Sequence, residues 1–159
     1  MRRLHIPAMR REILYIIVKP ATVDGQTIDG VFHPTAEDLE DKDWVKRNLI
    51  NGWRDNTGFH FLLSPQGQVW HDIMLQHPGN SSPGYNADGI IIGCLAVLGE
   101  DGKIKQQVTQ KQQMVASAMA RTLMRVFPKA TFKMGDSYTM NCKAEDIYNP
   151  ETEKEEDKV

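Results

Sequence analysis

Apolar positions in this chain fall into two dense runs and several shorter periodic segments, separated by stretches rich in Gly, Pro, Asn and Asp. The run from Glu12 to Val18 (EILYIIV) is continuous, rich in β-branched residues and bounded by Pro20. That pattern predicts a strand buried on both faces. Ala21 to Gly30 reads as a polar loop. A helix is predicted from Thr35, a residue type that caps helix N-termini, to about Asn51, with Leu39, Trp44, Val45 and Leu49 on its apolar side and Gly52 as the stop. Phe59–Leu63 and Gln68–Asp72 flank Ser64-Pro65-Gln66-Gly67, a turn sequence, and predict a β-hairpin.

The stretch from Gln76 to Asp88 reads as loop, and Gly89 to Leu98 (GIIIGCLAVL) as a second buried strand. Thr109 with Gln112 forms a capping-box pattern. It opens a helix whose apolar residues Met114, Ala118, Met119, Leu123, Val126 and Phe127 recur near helical spacing until Pro128. Ala130 to Met134 is a last short strand, and beyond Pro150 the composition predicts disorder. Strands and helices alternating in this order predict an α/β protein, a mixed central sheet flanked by helices in a single domain. Its expected limits are residues 12–148, between a basic arm at 1–11 and an acidic disordered tail at 149–159.

A formal net charge of −2 argues against bulk nucleic-acid binding. No apolar run reaches the roughly 20 residues that span a bilayer, and the start MRRLHIPAMRR lacks the apolar core of a secretory signal. Cys94 and Cys142 make no disulfide framework. A cytoplasmic location is therefore expected.

Several local sequences, in order, resemble the zinc N-acetylmuramoyl-L-alanine amidases of the phage-lysozyme and peptidoglycan-recognition type. They are YIIVKPAT at the exit of the first strand, Gly52-Trp53, Gly58-Phe59-His60-Phe61, Gly84-Tyr85-Asn86 ahead of Gly89–Cys94, and Pro128-Lys129-Ala130. The resemblance covers roughly residues 12–148 and implies the amidase fold. It also implies a zinc held by two His and one Cys, or Asp in some members, with a helper Tyr and often a helper Lys or His.

Carried onto this chain, the first His falls on Val18 and the second on Gly135, or on Asp136 with a register slip of one. The Cys falls on Cys142, but Lys143 stands where a Pro would follow. The helper Tyr becomes Phe59, the helper Lys becomes Asn141 or Met140, and a His that often precedes Gly-Tyr-Asn becomes Ser81. One soft ligand cannot replace three deprotonated donors in tetrahedral array. The site residues are therefore read as degenerate, with no metal and no cofactor expected.

Trp53, Phe59, His60, Tyr85, Asn86 and Asp136 are the candidate ligand-binding residues, since the resemblance places their counterparts around a muramyl-peptide groove. His60 also reads as a buried, hydrogen-bonded strand residue, and Trp53 and Trp70 as core. The leading expectation is a pseudoenzyme, regulatory and phage-encoded, that binds a muropeptide or other small ligand, or a cytosolic protein such as a polymerase. The alternatives are an active zinc amidase, which would need zinc as its cofactor, and a structural phage-particle protein.

Overall fold

The computed structural model describes residues 9–49 and 56–156. Among them six strands form one sheet, in the order β5-β4-β6-β1-β8 with β7 on the far end of β6. β1 is Tyr15–Asp24, β4 Phe61–Leu63, β5 Val69–His71, β6 Gly89–Leu98, β7 Ile104–Gln106 and β8 Thr131–Met134. The centre is the parallel pair β1–β6, in register from Tyr15↔Gly89 to Asp24↔Leu98. β8 and β4 add parallel on the outer sides of that pair, and the hairpin β4–β5 closes one edge.

β1 continues six residues beyond the predicted end at Val18. Ala21 and Val23 point inward as Ile17 does, so burial extends the strand through a stretch that composition alone assigns to a loop. A short hairpin follows, β2 Gln26–Ile28 with β3 Val31–His33. Pro20 is tolerated inside β1 because of where β8 stops. The Val18 carbonyl accepts from Gly135 N, so the even-numbered peptide groups of β1 face β8. β8 is paired only up to Val18, and the missing Pro20 N–H falls where no ladder bond is required.

The alternation of β1 divides the interior in two. Ile16 and Val18 join Ile90, Ile92, Phe61 and Leu63 beneath α2, Gln110–Val126. Ile17, Ala21 and Val23 join Ile91, Leu95, Val97 and Phe59 on the opposite face, covered by Leu39, Val45 and Leu49. The second cover is shorter than the sequence predicts. Thr35 Oγ1 accepts from Asp38 N and starts only a 3₁₀ turn, Asp38–Glu40. Asp41 then caps α1, Lys42–Asn48, through Asp43 N and Trp44 N. Leu49 leaves the helix to bridge Val23.

α2 has the predicted capping box, with Thr109 and Gln112 satisfying each other's backbone N–H. Its buried stripe is Gln112, Ala116, Met119, Ala120 and Leu123, whereas Met114 and Val126, expected inside, are exposed. Met114 stands two residues from Gln112, on the far side of the helix, and Val126 is the last helical residue. The Gln112 amide is fully buried and donates to the Leu63 carbonyl at 2.9 Å and the Leu95 carbonyl at 3.0 Å, fixing the helix on the sheet by a polar group. After β8 come α3 Ser137–Met140, α4 Ala144–Ile147 and α5 Pro150–Glu156. α5 stands where disorder is predicted. The buried Glu153 holds it to Arg125 at 2.7 Å and to Arg121 at 3.6 Å.

Replacing Gln112 by Leu keeps the volume but leaves two carbonyls and the Thr109 N–H unpartnered in the interior. Urea unfolding should show a loss of about 2–4 kcal/mol. A loss below about 0.5 kcal/mol would mean that the amide is not what seats the helix.

Candidate functional site

Where β8 stops short of β1, the sheet opens into a cleft. Its walls are the exit of β1 (Lys19, Pro20, Thr22), the exit of β8 (Lys133 to Asp136) and the loop of Ser82, Pro83 and Tyr85, enclosing about 480 Å³. A second hollow of about 220 Å³ adjoins it across Lys19, Pro20 and Thr22, and reaches Phe59, Leu49 and Ser81. Lys19 is the side chain between the two.

The strand period of two puts Lys19 on the same face as Ile17 and Ala21. Glycines lie on both sides of it. Gly93 pairs with Lys19 on β6, and a Cβ there would come within 2.6 Å of the Phe59 ring, so its bare backbone is what admits that ring. On the other side, a Cβ at Gly135 would lie 3.4 Å from the Lys19 Cβ. The Lys19 ammonium donates to the Ser81 carbonyl and lies 3.3 Å from Ser82 Oγ and 5.9 Å from the Phe59 ring centre. Burial lowers its pKa from the usual lysine value.

The loop carrying these acceptors is itself fixed. Asn86 Oδ1 accepts from Ser81 N at 3.1 Å and Ser82 N at 2.9 Å, and Ser81 Oγ donates to the Gly58 carbonyl. Tyr85 stands edge-on to Tyr15, with Lys133 Nζ 5.5 Å from the Tyr85 ring centre. Asp136 adopts a left-handed backbone and its carboxylate caps α3 through Thr139 N.

The sequence-predicted residues therefore separate. Phe59, Tyr85, Gly135 and Asp136 line the cleft or its annex, with Ser81 beside Phe59. Asn86 shapes the loop without lining either hollow. Trp53 lies outside the described residues. Val18 faces away, fully buried under α2. A residue one position further along β1 has the opposite facing, so the cleft position on this strand is Lys19. Strand alternation was the signal that could have identified it. Lys133, which also lines the cleft, likewise went unremarked in the sequence. Cys142 packs half-buried against the α2-side core, and Asn141 closes α3 in a left-handed conformation.

His60 is fully buried in the structure and lines neither hollow. Its Nδ1 accepts from Ile91 N at 3.0 Å, which leaves the proton on Nε2 to donate to the His77 carbonyl at 2.7 Å. Arg11, expected in a free basic arm, is bound into the domain through the Leu75, Ala87 and Gly89 carbonyls and lies 3.1 Å from His60 Nε2.

No family model matches the chain, and no curated protein matches it in sequence. Solved structures do. The N-acetylmuramoyl-L-alanine amidase LysC from Clostridium intestinale URNW aligns at a TM-score of 0.51 and 19% identity, covering 89% of this chain and 76% of LysC. Drosophila peptidoglycan recognition protein SA gives 0.50 at 18% identity over 85% of this chain and 74% of its own. Bumblebee peptidoglycan recognition protein SA gives 0.50 at 16% identity over 85% and 80%. The fold is that of the amidases and peptidoglycan recognition proteins, as the ordered sequence matches imply.

A catalytic zinc requires three N, O or S donors converging on one point. At the positions the resemblance assigns, Val18 offers methyl groups, Gly135 no side chain, and the alternative Asp136 a carboxylate already capping α3 through Thr139 N. Cys142 offers a thiol whose pKa is raised by burial and then by Asp146. This donor set does not fit a zinc ion. No group of three His, Cys, Asp or Glu able to hold a metal occurs among the described residues.

Burial, with the Arg11 charge adding to it, lowers the His60 pKa from 6.5 to about 4. The native state keeps this ring neutral while the unfolded chain takes up a proton below pH 6.5. Stability should therefore fall as pH drops from about 6.5 to about 4, by up to about 3 kcal/mol, and this contribution levels off below that. In His60→Gln the same slope should be absent. An unchanged slope in that variant would assign the acid lability to other groups.

Proposed function

We propose that this protein is a ligand-binding member of the amidase architecture that holds a muropeptide in the Lys19 cleft without hydrolysing it. The observation that carries the reading is the Gly93–Lys19–Gly135 row. At the exit of β1, where the fold's enzymes are expected to present a metal ligand, this chain presents an amine between two glycines. Around it, Tyr85 offers an aromatic face for a sugar ring, and the fixed 81–86 loop presents the Ser82 hydroxyl to a peptide.

The replacement of Tyr by Phe59 supports absence of turnover. Its buried ring has no hydroxyl to stabilise charge developing on a scissile carbonyl. The solved amidases are named for cutting an amide, whereas at the corresponding positions here Val18 and Gly135 offer no metal ligand and Phe59 no phenol.

Titration of the full chain with muramyl peptides, followed by tryptophan fluorescence and calorimetry, should give saturable one-to-one binding. The same protein incubated with purified peptidoglycan should release no new L-Ala amino termini. Release of such termini would replace this reading by that of a working amidase, and absence of saturable binding would remove the muropeptide.

A further inference from the structure

We infer that the Lys19 ammonium is an anion anchor, a fixed positive charge at the bottom of the cleft that recognises a carboxylate or phosphate on the ligand. The inference rests on the cleft being the ligand site and goes further by naming the chemistry that the ligand must carry.

The first support is the pairing of Lys19. It donates to the Ser81 carbonyl and lies within reach of Ser82 Oγ, both neutral acceptors. Among the described residues no carboxylate lies within ion-pair distance of it. A partly buried lysine whose charge is met only by dipoles has electrostatic demand left over, and an anionic ligand meets it.

The second support is the rest of the wall. Lys133 also lines the cleft, its ammonium 5.8 and 5.5 Å from the Tyr15 and Tyr85 ring centres and in no ion pair among the described residues. The acid in the lining is Asp136, and it is engaged at the N-terminus of α3 through Thr139 N. Two lysines against one capped aspartate leave the cleft with a net positive charge. The third support is space. Gly135 has no side chain to crowd Lys19 from β8, so an anion can approach it from the cleft.

The ligand class that follows is a compact anion joined to a ring, the anion on Lys19 and the ring against Tyr85. A peptide carboxylate on a muramyl sugar and a phosphate on a nucleoside both have this form. The test uses matched pairs on the full chain: muramyl dipeptide with its terminal carboxylate free or amidated, and uridine 5′-monophosphate against uridine.

In the wild-type protein, calorimetry should show the anionic member of at least one pair binding about ten- to a hundredfold tighter than its neutral partner, the range for a hydrogen bond to a charged group. Lys19→Met should collapse that preference to about one, and Lys19→Arg should retain part of it, with circular dichroism and thermal melts establishing that both variants fold. Equal binding of the acid and amide muramyl peptides, with no preference for uridine 5′-monophosphate over uridine, would overturn the anchor while leaving the muropeptide reading standing. Charge-dependent binding of the nucleotide alone would uphold the anchor and remove the muropeptide. No binding by any of the four, or a preference that survives Lys19→Met, would overturn the anchor.

Discussion

The ten-residue parallel register between β1 and β6 is the constraint on which the rest of this molecule depends. With both faces of that pair buried, a slip of one residue would turn every side chain to the wrong layer. The register therefore decides which β1 residues fill the core and which reach the cleft. Ile16 and Val18 go under α2, while Ile17, Lys19 and Ala21 go to the other face. The early end of β8 leaves the exit of β1 open on one side and so creates the cleft. Pro20 belongs to the same arrangement, since it sits where the ladder has already stopped.

From this frame the polar groups take on distinct roles. Gln112 is a buried amide that positions α2, and His60 is a buried neutral imidazole that ties β4 to β6 and to the following loop. Both are structural, although an isolated His or Gln in a sequence reads equally well as chemistry. Lys19 differs in what it meets and where it stands. Its hydrogen bonds go to neutral oxygens, and it projects between two hollows. On the proposed reading, the amine at this point supplies a simple charge for an anionic ligand where a metal would otherwise stand.

Much of the scaffold was legible in the sequence for a physical reason: long buried strands and capped helices have strong local signatures. GIIIGCLAVL defines β6 to the residue, and Thr109 with Gln112 defines the start of α2. What failed was structure created by tertiary burial. The second half of β1, Ala21 to Asp24, looks polar but is drawn into the sheet by its partner, and the 35–51 segment breaks at Asp41 because that side chain caps a new helix. Along β1 the resemblance places the first His on Val18, while three-dimensional facing puts Lys19 at the cleft. Sequence matching counts residues along a strand, whereas a site requires residues that share a face. Phe59 and Tyr85 were named because each sits in a local motif and Gly135 because a family ligand position falls on it, whereas nothing near Lys133 in sequence hints at the cleft.

The claim at the centre of this account is that a lysine, not a metal, supplies the positive charge of the cleft. The most direct measurement is the zinc content of the full-length protein after equilibration with a small excess of zinc and removal of unbound metal, read by elemental mass spectrometry alongside ligand affinity with and without a chelator. Well under one zinc per chain and an affinity unchanged by chelation are expected. One zinc per chain, lost to the chelator together with ligand binding, would contradict it.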